Sequence, residues 1–399
     1  MHIDLFCFTF GRDTIFHRMK KPNIPQNLAD TINHYYQYNP DTLSPLLMLA
    51  LATRKKLHLS YHKVKQSFAC IEPEVIYNYD WVRLDARLND RICEYISAEK
   101  KYICISGGMD DEILEIYNIF HHYDTFTVEQ EYHHRLGILY QHSNKEPSDQ
   151  AHRQYATICL AEELISTDTS VLHDNFITIA NEILVLSGLQ PQRPRIDIAR
   201  TLCKLLNYDG EGIVYNPFAG CGLVAAMINA GENLYADGDV NPKLQAVAKI
   251  LIYGMGGTYK NFIQHDSKEW ISGIIPNYVV STYRGYINGK TAFDFCLGKC
   301  LDSQQFLGKY AGIIAPKDIF ETQSKEMTEA VKKDWIDTII LLPFGEVAVL
   351  INAQKDETLK DKFMFFNMNN NLLRNKNIVE VLSDKSNAHL YPINSLLEK

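Results

Sequence analysis

The spacing of apolar positions along this chain changes near residue 194. Before it, most apolar residues recur at helical intervals. Ile113, Leu114, Ile116, Tyr117 and Phe120 predict a helix over 110–122. Ile158, Leu160, Leu164, Phe176, Ile177, Ile179, Ile183 and Leu184 predict helices across 156–187, stopped by Pro191 and Pro194. The apolar run within 41–51 reads as another helix. Two apolar stretches, 3–10 and 101–106, read as strands, the second ended by Gly107-Gly108. A polar segment containing Pro147, residues 143–155, predicts a linker or long loop.

After Pro194 short strand-like and helix-like segments alternate. Helices are expected over 196–206, 223–230, 242–253 and 293–301. Strands are expected over 212–215, 234–236, 278–282, 310–315, 336–342, 347–351 and 363–366. Such alternation predicts an α/β fold with a mainly parallel sheet. Too few residues separate 342 from 347 for a crossover helix, so an antiparallel hairpin is expected at the end of the sheet. The organisation predicted is an accessory domain over 1–150, mixed and mostly helical, and a second domain over 156–399 whose first helices lead into the sheet.

Composition narrows the classes. The chain has 399 residues, 46% hydrophobic and 22% charged, which excludes global disorder. A net charge of −8 excludes a strongly basic nucleic-acid coat. No apolar run approaches the ~18–20 residues of a membrane span, and the N-terminus has no basic leader. Nine cysteines with no Cys-x-x-Cys pair fit a reducing cytoplasm better than a disulfide framework. Cys296 and Cys300, one helical turn apart, read as packing residues. Histidines at 121, 122, 133, 134 and 142 lack the spacing of a catalytic metal site, so no metal is expected. The basic run Arg54-Lys55-Lys56, with His58, His62, Lys63 and Lys65, reads as a solvated helix face, with phosphate contact as the alternative.

Chemistry concentrates in Asn216-Pro217-Phe218-Ala219-Gly220-Cys221-Gly222, between a strand and a helix. Glycines there let backbone approach a ligand closely, and amides at a helix start favour anionic groups. Asp239 follows Gly222 by 17 residues, near the ~20 expected of a ribose-binding acid; Asp237 is its nearest rival. Gly220-x-Gly222-x-x-Ala225 also satisfies the dinucleotide pattern of an oxidoreductase. A sheet of six parallel strands would mark that dinucleotide enzyme; a seventh strand inserted antiparallel would mark a different cofactor fold.

The flanking residues point to one family. Asn-Pro-Phe-Ala-Gly-Cys-Gly resembles the Asp-Pro-Phe-Ala-Gly-Ser-Gly loop of S-adenosylmethionine-dependent N6-adenine DNA methyltransferases. Asp239-Val240-Asn241-Pro242, with a helix ending Tyr253-Gly254, resembles their Glu-Ile-Asn-Pro segment. Pro194-Arg195-Ile196, Gln264-His265-Asp266-Ser267, and the strands at 310–316 and 335–343 follow in the order of the modification subunit of type I restriction-modification systems. The resemblance covers about 175–370. It implies a Rossmann-like class I methyltransferase sheet, S-adenosylmethionine as cofactor, DNA as partner, and a separate specificity subunit. It assigns Pro194, Asn216, Phe218, Gly220, Cys221, Gly222, Asp239 and Asp266 to the cofactor: the loop to its amino-acid and ribose part, Asp239 to the ribose, Asp266 to the adenine.

The family's Asn-Pro-Pro-Phe/Tyr motif ends the fourth strand, where its acceptors orient the base amine and its ring stacks on a flipped base. Here Ser281-Thr282-Tyr283-Arg284 stands in its place, and no Pro-Pro pair occurs anywhere. Ser281 or Thr282 is the candidate acceptor, Tyr283 or Tyr286 the stacking ring. Arg284 brings a cation toward a sulfonium unless it points elsewhere. Asn277 lies before the strand, and Asn216 replaces the loop's usual acid. Two functions follow from the resemblance: a DNA adenine methyltransferase with an altered site, or a catalytically inactive scaffold or DNA-binding subunit of the same fold.

Overall fold

The computed structural model describes residues 24–39, 42–63, 99–105, 149–189, 196–238, 241–263, 266–271, 273–303, 305–315, 324–342, 345–368 and 378–397. The expected strand over 3–10, helix over 110–122 and histidine cluster lie outside them. So do Pro194 and Asp239.

Contacts divide the chain into two compact units. One holds the described residues of 24–189 and 241–256. Its helices are α1 (Gln26–Tyr38), α2 (Leu43–Thr53), α3 (Asp149–Ser166), α4 (Thr169–Leu186) and α7 (Pro242–Gly254), with a two-stranded ribbon, β1 (Leu57–Lys63) and β2 (Glu99–Ile105). Every residue of α2 is buried, and α1, α3, α4 and α7 all belong to the unit it occupies. A helix apolar on all sides is a core helix; no helix among the described residues is long and apolar enough to cross a membrane. Helix α3 begins at Asp149, so residues 149–155 of the expected linker over 143–155 are helical. The basic run is not a helix face. The guanidinium of Arg54 lies 4.7 Å from the Tyr253 ring centre and donates to the Tyr253 carbonyl at 3.0 Å, closing the end of α7. From Leu57 the chain runs as β1, antiparallel to β2.

The other unit holds the described residues of 196–238 and 257–397. Its strands are β3 (Val214–Asn216), β4 (Leu234–Asp237), β5 (Phe262–Ile263), β6 (Tyr278–Ser281), β9 (Lys309–Ile314), β10 (Ile336–Leu341), β11 (Val347–Asn352), β12 (Lys362–Asn367) and β13 (His389–Pro392). They form one sheet in the order β13-β12-β10-β11-β9-β6-β3-β4-β5. From β5 through β9 all neighbours are parallel. Strand β11 lies between β9 and β10, antiparallel to both. The expected hairpin is therefore present, but it sits inside the sheet, with β12 and β13 beyond it. An antiparallel seventh strand is the mark of the methyltransferase sheet, and it excludes the six-stranded parallel dinucleotide fold.

Helices α8 (Ala292–Asp302) and α9 (Lys325–Lys332) cover one face. Their Phe293, Cys296, Cys300, Met327 and Val331 share a core with Val279, Tyr310, Ile339, Val349 and Ile351, alternate positions of β6, β9, β10 and β11. Helix α5 (Ile196–Leu206) packs on the same strands without entering that core, so it lies on the opposite face. Cys296 and Cys300 are packing residues, as expected. A short ribbon, β7 (Tyr286–Ile287) with β8 (Lys290–Thr291), precedes α8.

Strand order reverses between β3 and β6. In open α/β sheets the crevice at the carboxyl ends of such strands receives ligands.

Candidate functional site

The chain turns out of β3 on local interactions. The side-chain oxygen of Asn216 accepts from the Phe218 amide at 3.3 Å, an Asx turn that needs no charge. Ala219 N–H donates to the Asp237 carbonyl at 3.3 Å and Gly222 N–H to the Ala219 carbonyl at 2.8 Å. Gly220 and Gly222 have φ of +53° and +73°, conformations that penalise any side chain. Helix α6 (Leu223–Ile228) follows directly. Cys221, like Ala219 and Gly222, is buried, and Gly220 is the half-buried residue of the turn. A Cβ at Gly220 would meet no atom within 4 Å. The turn is thus an open cradle of backbone, which fits a cofactor held by amides.

Two acids flank it. Asp237, ending β4, is 1% exposed and accepts from the Tyr215 hydroxyl at 2.6 Å. Burial first, and then that bond, push the Tyr215 hydroxyl well above its ordinary value, so it remains a donor. The Tyr215 ring meets Trp270 edge-on at 4.8 Å. Asp237 is therefore engaged inside the unit. Asp266 follows β5 and is exposed; its carboxylate accepts from the Lys268 amide at 3.1 Å.

The segment after β6 reaches the same crevice. The Tyr283 ring lies 5.2 Å from that of Phe218, so the glycine loop and the altered motif meet across the strand-order reversal. Phe295 backs Phe218 at 6.5 Å. Tyr283 folds over Gly285, where a Cβ would come within 2.2 Å of its hydroxyl. Ser281 is 1% exposed, and its enclosed hydroxyl makes no hydrogen bond among the described residues; burial also pushes the ionisation of the neighbouring Cys296 thiol well up. Thr282 is half-buried. Tyr283 and Arg284 line a cavity of about 340 Å³; Ser281 and Thr282 do not. Arg284 pairs with Glu346 at 2.5 Å, so its charge is matched at that cavity. Glu346, in the turn before β11, was not singled out by sequence; its only signal is that it is the one acid between the apolar ends of β10 and β11. Asn277 has a structural task at the opposite end of β6: its side-chain oxygen accepts from the Ile213 amide at 2.9 Å.

Neither a protein-family model nor a curated protein matches this sequence. Among solved structures, the chain is similar to a modification subunit of a putative type I restriction enzyme from Vibrio vulnificus YJ016, with a TM-score of 0.50 at 9% identity, over 88% of this chain and 85% of that one. It also matches a chain from a structure of type I restriction-modification complex assembly, with a TM-score of 0.46 at 10% identity, over 85% and 75% of the two chains. A third match is a putative class I S-adenosylmethionine-dependent methyltransferase from Listeria monocytogenes, with a TM-score of 0.41 at 14% identity, over 61% and 86%. Strand order and the first of these similarities agree: the sheet unit has the methyltransferase fold found in a type I modification subunit.

Proposed function

We propose that this chain binds S-adenosylmethionine at the carboxyl ends of β3, β4 and β5 and serves as a DNA adenine methyltransferase-type modification subunit. The observation carrying the reading is the open glycine turn after β3, in a sheet whose seventh strand is antiparallel. In this reading the backbone of 218–222 cradles the amino-acid and ribose part, with Asn216 holding the turn and Cys221 anchoring it inward. Asp239 holds the ribose hydroxyls, Asp266 the adenine, and Pro194 lies against the methionine end. The cofactor supplies a transferable methyl group on a sulfonium. Tyr283, braced by Phe218, offers a stacking face to a base. Arg284, matched by Glu346, adds no unbalanced cation beside the sulfonium. DNA is the partner, and a separate specificity subunit reads its sequence, in the cytoplasm.

A scaffold without transfer is the second reading. Burial of Ser281 favours it, since that enclosed hydroxyl does not line the cavity at the strand end where an amine acceptor belongs.

Photo-crosslinking with methyl-labelled S-adenosylmethionine tests cofactor binding. Labelling competed by S-adenosylhomocysteine and reduced roughly tenfold or more by Asp239→Ala supports the ribose assignment. Undiminished labelling of that variant removes it. Methyl transfer to DNA with a specificity subunit present then separates the two readings.

A further inference from the structure

Sheet topology makes the Arg284–Glu346 pair a bridge. Strand β9 lies between β6 and β11. Its last residues stand level with the end of β6 and the start of β11, Gly312 opposite Ser281 and Ile314 opposite Val347. Arg284 follows β6, and Glu346 directly precedes β11. Adjacent strands lie about 4.8 Å apart, so the two residues leave strands that are roughly 10 Å apart. Their side chains nevertheless meet, at 2.5 Å, across the end of β9. Both line the cavity of about 340 Å³, together with Ile313, Ile314 and Ala315 from that end. Ile314 lines the cavity yet is only 6% exposed, so the space is covered.

The cover is one short segment. Tyr283, Arg284 and Tyr286 all line the cavity. The Tyr283 ring lies 5.2 Å from Phe218 and folds back over Gly285. The Gly285 carbonyl accepts from Ala292 N–H at 2.9 Å. The two members of the ion pair differ. Glu346 is set by its turn, where its carbonyl accepts from Leu342 N–H at 2.8 Å, and its side chain is 15% exposed. Arg284 is 52% exposed and is the member free to swing. Such a half-exposed pair is a weak tie. It biases an open–closed equilibrium by roughly threefold to fivefold, and salt screens it.

We propose that residues 282–286 form a strap over this cavity and that the Arg284–Glu346 pair is its latch. Paired, it shuts the end of β9 away from solvent; parted, it admits a ligand. This gives the cation of the altered motif a task that needs no contact with cofactor or base. The latch is read from the sheet; its bearing on function rests on the methyltransferase reading, in which this cavity is the substrate side.

Alkylation of a reporter thiol tests the latch on the full chain without any ligand. Ile314→Cys places the thiol in the cavity wall. Pulsed labelling with N-ethylmaleimide, read on that peptide by mass spectrometry, gives its rate of exposure. Adding Glu346→Gln keeps the shape and removes the charge, and should speed labelling roughly threefold to fivefold. Arg284→Met should do the same, and both together no more than either, since each removes the same tie. Raising NaCl from about 0.05 M to about 1 M should speed labelling of the paired chain and leave the Glu346→Gln chain nearly unchanged. Urea midpoints check that the variants fold equally. If Ile314→Cys does not fold, tryptic cleavage after Arg284, with and without Glu346→Gln, reads release of the same segment. Equal rates with and without Glu346→Gln, additive effects of the two substitutions, or an equal salt response in both chains overturns the proposal. Equal rates in a chain that binds S-adenosylmethionine remove the latch alone. The expected rates in a chain that does not bind it remove the cofactor reading alone.

Discussion

At Gly220 a positive φ and an empty space above the backbone coincide. Alanine there costs about 1 kcal/mol through the left-handed backbone alone. If the cradle holds a ligand, the added methyl also fills its space. Gly231 separates the two effects. It has φ +58°, likewise meets nothing within 4 Å, and lies before β4, at the far end of the sheet. Urea unfolding should show similar small losses for Gly220→Ala and Gly231→Ala. Only Gly220→Ala should weaken S-adenosylmethionine binding, by roughly tenfold or more; equal affinities would show that the cradle is only a turn. The glycines and Asn216 were legible in sequence because turn chemistry is local. Glu346 was not, since a cavity joining the end of β6 to a hairpin after β10 exists only once the sheet is assembled. The Tyr215–Asp237 bond was hidden for the same reason: it spans 22 residues between neighbouring strands.

Elements were legible where their period was long enough to see. Helix α5 spans the expected residues, and β6, β9, β10, β11 and β12 shift by a residue or so. Strand β5 is two residues, too short for any alternation, and it pairs because β4 offers an edge. Strand β1 was misread as a helix face because its basic residues dominate; Leu57-His58-Leu59-Ser60 alternates with period two. The Tyr253-Gly254 end of α7 has a packing cause. A Cβ at Gly254 would lie 2.1 Å from the Phe176 ring, which is fully buried. Gly254→Ala should therefore destabilise by about 1–3 kcal/mol through overpacking, read as a shift of the urea midpoint. Phe176→Leu in the same chain should return part of that loss. Additive destabilisation by the two changes would mean that the helices part without meeting.

For the whole molecule, strand order carries more than any single motif. A Gly-x-Gly-x-x-Ala turn alone leaves a dinucleotide cofactor and S-adenosylmethionine both in play, and the antiparallel β11 separates them. That strand was visible in sequence as a hairpin, while its insertion between β9 and β10 depends on pairing between distant segments. The altered strand end and the enclosed Ser281 concern transfer; the open cradle concerns binding, and binding is the claim that everything else requires. Calorimetric titration of the purified chain with S-adenosylmethionine, and with NAD as control, tests it without a specificity subunit or DNA. The account predicts saturable binding of S-adenosylmethionine in the micromolar range, about 8 kcal/mol, and none of NAD. Binding of NAD, or no binding of S-adenosylmethionine, would contradict it.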